Sequence, residues 1–93
     1  MKRTNEVFVL TCANGNYITD VVCFRSIKSG FKKMSELYDC VLSSMSDKGD
    51  DSYVVETNEP RIGSYIPTTI AAASIVAMDD SYEWRLFRKE VRG

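Results

Sequence analysis

The sequence contains no histidine among its 93 residues. Histidine is the side chain that most often transfers protons near neutral pH, and it is a common zinc ligand. Its absence excludes the usual Ser-His-Asp and Cys-His nucleophile pairs. The sequence also has no glycine-rich phosphate-binding loop, whether G-x-G-x-x-G or G-x-x-x-x-G-K-[ST]. We therefore predict a protein that is not an enzyme and that binds no cofactor and no metal.

Cysteines and long apolar runs are also scarce. The three cysteines, Cys12, Cys23 and Cys40, have no metal-binding spacing, and an odd number cannot all pair within one chain. We expect reduced, buried thiols that pack as small apolar side chains in a cytoplasmic protein. No apolar run approaches the length of about 20 residues that crosses a bilayer, so the sequence predicts no membrane association.

Charge is distributed unevenly along the chain, although the formal net charge is only -1. Residues 1–33 carry six basic and two acidic side chains, residues 34–83 carry two basic and ten acidic, and residues 84–93 carry four basic and one acidic. The simpler interpretation is that the basic ends meet the acidic middle within the fold. The alternative is an acidic surface that attracts a basic partner.

The clearest structural pattern is an amphipathic helix over residues 26–45. Its apolar residues recur every three or four positions, which is the period of one helix face. They are Ile27, Phe31, Met34, Leu37, Tyr38, Val41, Leu42 and Met45. Ser26 can cap the N-terminus, and Ser29 is the alternative because Gly30 weakens the first turn.

A β-hairpin is predicted before this helix. Val7–Cys12 and Tyr17–Phe24 are rich in strand formers, and the Asn-Gly pair at 14–15 favours a type I′ turn between them. With that turn, Phe8 lies opposite Val21. Both faces of the hairpin are then largely apolar, whereas a hairpin with one solvated face alternates apolar and polar residues. We therefore expect both faces to be covered.

The second half of the chain offers three more elements. Ser52–Thr57 reads as a strand that is followed by a loop over 58–63. The alanines within 68–78 favour a helix, and a hairpin that turns at 79–80 is the alternative. Tyr82–Val91 alternates in the manner of a last strand.

Together these elements predict one α+β domain over residues 1–93, in the order β-β-α-β-α-β with an antiparallel sheet. The long helix covers one face of the sheet. A shorter helix, or a partner chain, covers the other face.

The favoured function is a non-catalytic interaction protein, a small regulator or inhibitor. It binds another protein through an acidic surface or a sheet edge. Self-association through the second face of the hairpin is a further possibility. The candidate protein-binding residues are Asp47, Asp50, Asp51, Tyr53, Glu56, Glu59, Asp79 and Asp80.

The alternative function is a nucleic-acid-binding accessory protein. Its candidate residues lie in the basic last strand beside two aromatic side chains, an arrangement that can contact phosphates and stack bases. They are Arg85, Arg88, Lys89 and Arg92. The slightly acidic chain and the lack of a nucleic-acid-binding motif disfavour this alternative.

Overall fold

The computed structural model describes residues 6–46, 54–63, 69–78 and 80–91. Its elements are β1 (Glu6–Asn14), β2 (Tyr17–Phe24), α1 (Ile27–Ser46), β3 (Val54–Ile62), β4 (Thr69–Ala77) and β5 (Ser81–Glu90). The strands form one antiparallel sheet in the order β2-β1-β5-β4-β3. The predicted α+β class is confirmed, and β5 is the central strand.

Helix α1 confirms the strongest sequence prediction. The Ser29 N–H donates to the Ser26 hydroxyl oxygen at 3.1 Å, so Ser26 is the cap. Met34, Tyr38 and Met45 on the predicted apolar stripe are buried. The helix thus packs as its period requires.

The stripe of α1 lies on one face of the sheet, which we call the covered face. Its buried strand residues are Phe8, Leu10 and Cys12 of β1, Ala71, Ala73, Ile75 and Ala77 of β4, and Trp84 and Leu86 of β5. Tyr38 of the helix meets Trp84 edge-on, with ring centroids 6.0 Å apart. The covered face therefore holds the core.

The predicted helix over 68–78 is wrong, because these residues form strand β4. Every second residue from Thr69 to Ala77 is buried, which is the period of a strand. β4 pairs with β5 on one side and β3 on the other, and this tertiary pairing outweighs the weak helix preference of alanine. The chain turns back after β4, where the Ala77 N–H donates to the Asp80 carbonyl. The alternative hairpin is thus correct, and the described residues contain one helix instead of the predicted two.

The predicted hairpin of β1 and β2 exists, but its register differs. The two-residue loop is Gly15-Asn16, in which Gly15 has a φ of +61°, and the pairing shifts again near Cys12. Phe8 consequently pairs with Phe24 instead of Val21. The bulge therefore places each β2 side chain on the face opposite to the predicted one, because an offset of one residue moves every side chain of a strand to the other side of the sheet.

Strand β3 continues through the predicted loop at 58–63. Pro60 is tolerated within it, because β3 is an edge strand and its register with β4 shifts between Asn58 and Arg61. The beginning of the predicted strand, at Ser52 and Tyr53, lies outside the described residues.

Gly30 marks the closest approach of α1 to the sheet. A Cβ at this position would lie 2.7 Å from Leu86 Cδ1, and Leu86 is fully buried. Helix propensity alone predicts that Gly30→Ala stabilises the protein by about 1 kcal/mol. Overpacking a core costs about 1–3 kcal/mol, so we expect the free energy of unfolding in urea to fall by about 1 kcal/mol.

The second variant Gly30→Ala/Leu86→Val makes room for the added methyl group. It should be less destabilised than the sum of its two single changes. A Gly30→Ala variant that is more stable than the parent would contradict the close packing.

Candidate functional site

The face of the sheet opposite α1, which we call the open face, has no covering element among the described residues. Its side chains are Val7, Val9, Thr11 and Ala13 of β1, Val21 and Cys23 of β2, Glu83, Arg85, Phe87 and Lys89 of β5, Ala72, Ser74 and Val76 of β4, and Glu56, Asn58 and Arg61 of β3. The expected intrachain cover, a second helix, is wrong because its residues are strand β4. A partner chain on this face remains a prediction.

Two opposite charges occupy the centre of the open face. Arg85 Nη2 donates to Glu83 Oε2 at 3.1 Å, and both side chains are partly exposed. Arg85 Nε is shielded from solvent and has no hydrogen-bond acceptor among the described residues. A buried donor without an acceptor is rare and costly, so this atom carries a desolvation cost that the described residues do not offset.

Strand β2 forms one edge of the sheet and is unusually apolar. Tyr17, Ile18 and Val21 are 78%, 67% and 54% exposed. Asp20 is the only charged residue of the strand, and its carboxylate accepts a hydrogen bond from the Val21 N–H at 2.9 Å. From Asp20 to Phe24 the strand pairs with β1 without interruption. This segment therefore presents a regular edge.

The other edge, β3, is different. Its pairing with β4 is interrupted twice, and it contains Pro60. Three charged side chains, Glu56, Glu59 and Arg61, are exposed along it. Bulges, proline and charge are the features by which edge strands avoid pairing with another chain. Of the two edges, β2 is the one that lacks most of this protection.

The acidic candidate residues are only partly described. Glu56 and Glu59 are exposed on β3, and Asp80 is exposed in the turn between β4 and β5. Asp47, Asp50, Asp51, Tyr53 and Asp79 lie outside the described residues. Glu56 and Glu59 thus lie on the β3 edge, whereas Asp80 lines a pocket together with Gly15 and Tyr17 of the β1–β2 hairpin.

The basic candidate residues are divided between the two faces of β5. Arg85 and Lys89 lie on the open face, whereas Arg88 lies over the ring of Phe8 at 5.9 Å and 3.6 Å from the Glu6 carboxylate. Arg92 lies outside the described residues. The three described cations therefore do not form one continuous patch, and both arginines pair with carboxylates of the same chain.

A pocket of about 200 Å³ lies between α1 and the bulge of β2. Its lining residues are Cys12, Ala13, Thr19, Asp20, Leu37, Val41, Tyr82 and Trp84. Burial raises the pKa of the Cys12 thiol, and the nearby Asp20 carboxylate raises it further, while Lys33 opposes the shift. A protonated thiol is a poor nucleophile, so this shift disfavours nucleophilic attack by Cys12.

All three cysteines were expected to be buried, and this expectation is wrong for two of them. All three cysteines are free, but only Cys12 is buried, whereas Cys23 and Cys40 are exposed. Cys40 occupies the exposed side of α1, and the bulge places Cys23 on the open face. Within the described ranges, no group of three or more Cys, Asp or Glu side chains is arranged to hold a metal ion.

Comparison with known proteins does not identify a function. The chain matches no family model, and neither the curated proteins nor the solved structures yield a match. Among the described residues, no helix is long and apolar enough to cross a membrane. The function must therefore be inferred from the surfaces themselves.

The raised pKa of Cys12 predicts a specific pH dependence. The folded state holds the thiol proton more tightly than the unfolded state does. This contribution to stability is complete below the unfolded pKa of about 8.5 and is lost as the pH rises through the folded value. The free energy of unfolding in urea should be measured at about pH 7 and about pH 10. Between these pH values, Cys12→Ala should lose less of it than the parent protein does.

Cys40→Ala is the matched control, since it removes an exposed thiol. Cys12→Ala should lose less stability between the two pH values than this control does. Identical pH dependence in all three proteins would show that Cys12 is not perturbed.

Proposed function

We propose that this protein is a non-catalytic interaction protein, a small regulator or inhibitor, that binds an extended segment of another protein along β2. The segment pairs its backbone with β2 and becomes a sixth strand of the sheet. The observation that carries the proposal is the contrast between the two edges. β2 is regular from Asp20 to Phe24 and exposes apolar side chains, whereas β3 is interrupted and charged.

The chemistry of β2 specifies the partner segment. Exposed apolar side chains along the strand favour a segment whose own apolar residues recur at every second position. Asp20 is the only charged residue of β2, and its carboxylate accepts the hydrogen bond of the Val21 N–H. A lysine or arginine of the partner that pairs with Asp20 releases this N–H for backbone pairing. The preferred partner segment is therefore apolar, extended and singly basic.

The edge is preferred to the acidic surface for a geometric reason. Glu56 and Glu59 lie on β3, which three strands separate from β2. In this proposal they do not contact the segment that binds β2. Their charge can still attract a basic partner at longer range, since such steering does not require contact.

Selection of displayed random peptides against the full chain tests this proposal. We expect selected peptides to alternate apolar residues and to contain one lysine or arginine. Val21→Lys should weaken their binding at least about tenfold, because a cation at the edge repels the basic segment and replaces an apolar contact. Fluorescence polarisation with the labelled peptide measures the loss.

Val55→Lys is the matched control. Val55 is 58% exposed on β3, nearly the same fraction as Val21, so the two changes differ mainly in which edge they alter. We expect binding within about twofold of the parent. Equal effects of the two variants, or a selection without any enriched peptide, would refute strand addition at β2.

Asp20→Asn tests the role assigned to the carboxylate. It keeps the size of the side chain and removes the charge. Peptide binding to this variant should be weaker at low salt and nearly independent of salt concentration, because the screened charge pair is gone. Unchanged salt dependence in a binding titration would show that Asp20 does not select the basic residue.

A further inference from the structure

We infer that the open face is the interface of a homodimer in which two sheets pack face to face. The open face carries half-buried apolar side chains, among them Val7, Val9 and Phe87, over which the described chain places no element. This interface differs from the proposed strand addition, although both include Val21. The dimer uses side chains across the sheet face and is tested at β1 and β5, whereas strand addition uses the backbone edge of β2.

The charges at the centre of the open face point to a second copy as the occupant. Glu83 and Arg85 lie two residues apart on the central strand, on the same face, and have opposite signs. Consider a twofold axis that lies in the plane of the interface, perpendicular to β5, and that passes the strand at Trp84. This axis places each Arg85 over Glu83 of the second copy. The same surface is thus complementary to itself, as a twofold interface requires.

The alternative axis, along β5, stacks Arg85 on its own counterpart. Like charges in a desolvated interface are unfavourable, so the charge pattern selects the antiparallel arrangement. Two sheets that pack face to face keep their strands within about 30° of alignment, which this arrangement allows.

The Arg85 guanidinium and the Glu83 carboxylate are both partly exposed, so the charged groups of a second copy can reach them. Hydrogen bonds between a guanidinium and a carboxylate are charge-assisted and are stronger than those between neutral groups.

The size of the open face suits this interface. Five strands about 4.8 Å apart give a width of about 24 Å, and nine residues give a length of about 30 Å. Each copy thus offers about 700 Å², close to the roughly 800 Å² per partner of a standard interface. If the two sheets overlap only in part, the buried area is still at the lower end of the range of specific protein–protein interfaces.

Charge exchange tests the inference. Sedimentation equilibrium of the full chain should show a dimer, and Glu83→Arg or Arg85→Glu should raise its dissociation constant at least about tenfold. The double variant Glu83→Arg/Arg85→Glu restores opposite signs across the axis and should recover most of the affinity. Glu36→Arg, the same reversal on the exposed side of α1, should leave the dimer unchanged.

Val9→Lys is a second disruptive variant that does not alter the intrachain ion pair. It should also yield monomers, while circular dichroism confirms that the fold is kept. A parent protein that is monomeric at all concentrations would overturn the inference. A dimer that Val9→Lys does not weaken, or a double exchange that recovers no affinity, would overturn it as well.

Discussion

The structure depends on the fit between one helix and a five-stranded sheet. A helix with its side chains is about 10 Å wide, whereas five strands span about 24 Å. α1 nevertheless contacts all five strands, because its 20 residues extend about 30 Å, and it covers one face of the sheet. The small side chains Gly30, Ala71 and Ala73 let the helix and sheet approach closely, and the large ones, Trp84 and Leu86, fill the space beside them. The other face and the outer edge of β2 have no covering element among the described residues.

Two of the elements that the sequence predicted, α1 and β5, have one buried and one solvated side. α1 has a clean apolar stripe, and β5 alternates from Tyr82 to Lys89 as expected. β4 gave no such signal, because small or apolar residues such as Ala72 and Val76 also occupy its open side. A strand without a polar face has no period of two in its hydropathy, and its alanines then favour helix on local grounds alone.

The candidate site was harder to predict than the fold, because it depends on strand order. The sequence indicated that the first hairpin is apolar on both faces, and the open face agrees with this. It did not show that β2 is an edge strand, that the bulge turns Val21 towards the open face, or that Asp20 holds the Val21 N–H. The bulge and the Asp20 contact are local to the hairpin, but they depend on a register that the Asn-Gly pair alone did not specify. The edge position of β2 is non-local, because it follows from the pairing of β1 with β5.

That pairing explains why the open face is one surface. The first hairpin and the meander of β3, β4 and β5 are separate in sequence, and they become one sheet only where β1 pairs with β5. Nine residue pairs along these two strands bring the start of the described chain to its end. The apolar side chains of β1 and the charged pair of β5 are therefore adjacent only in the complete fold. A surface built across this junction is present only in folded molecules, so both proposed interactions require the assembled sheet and not either half alone.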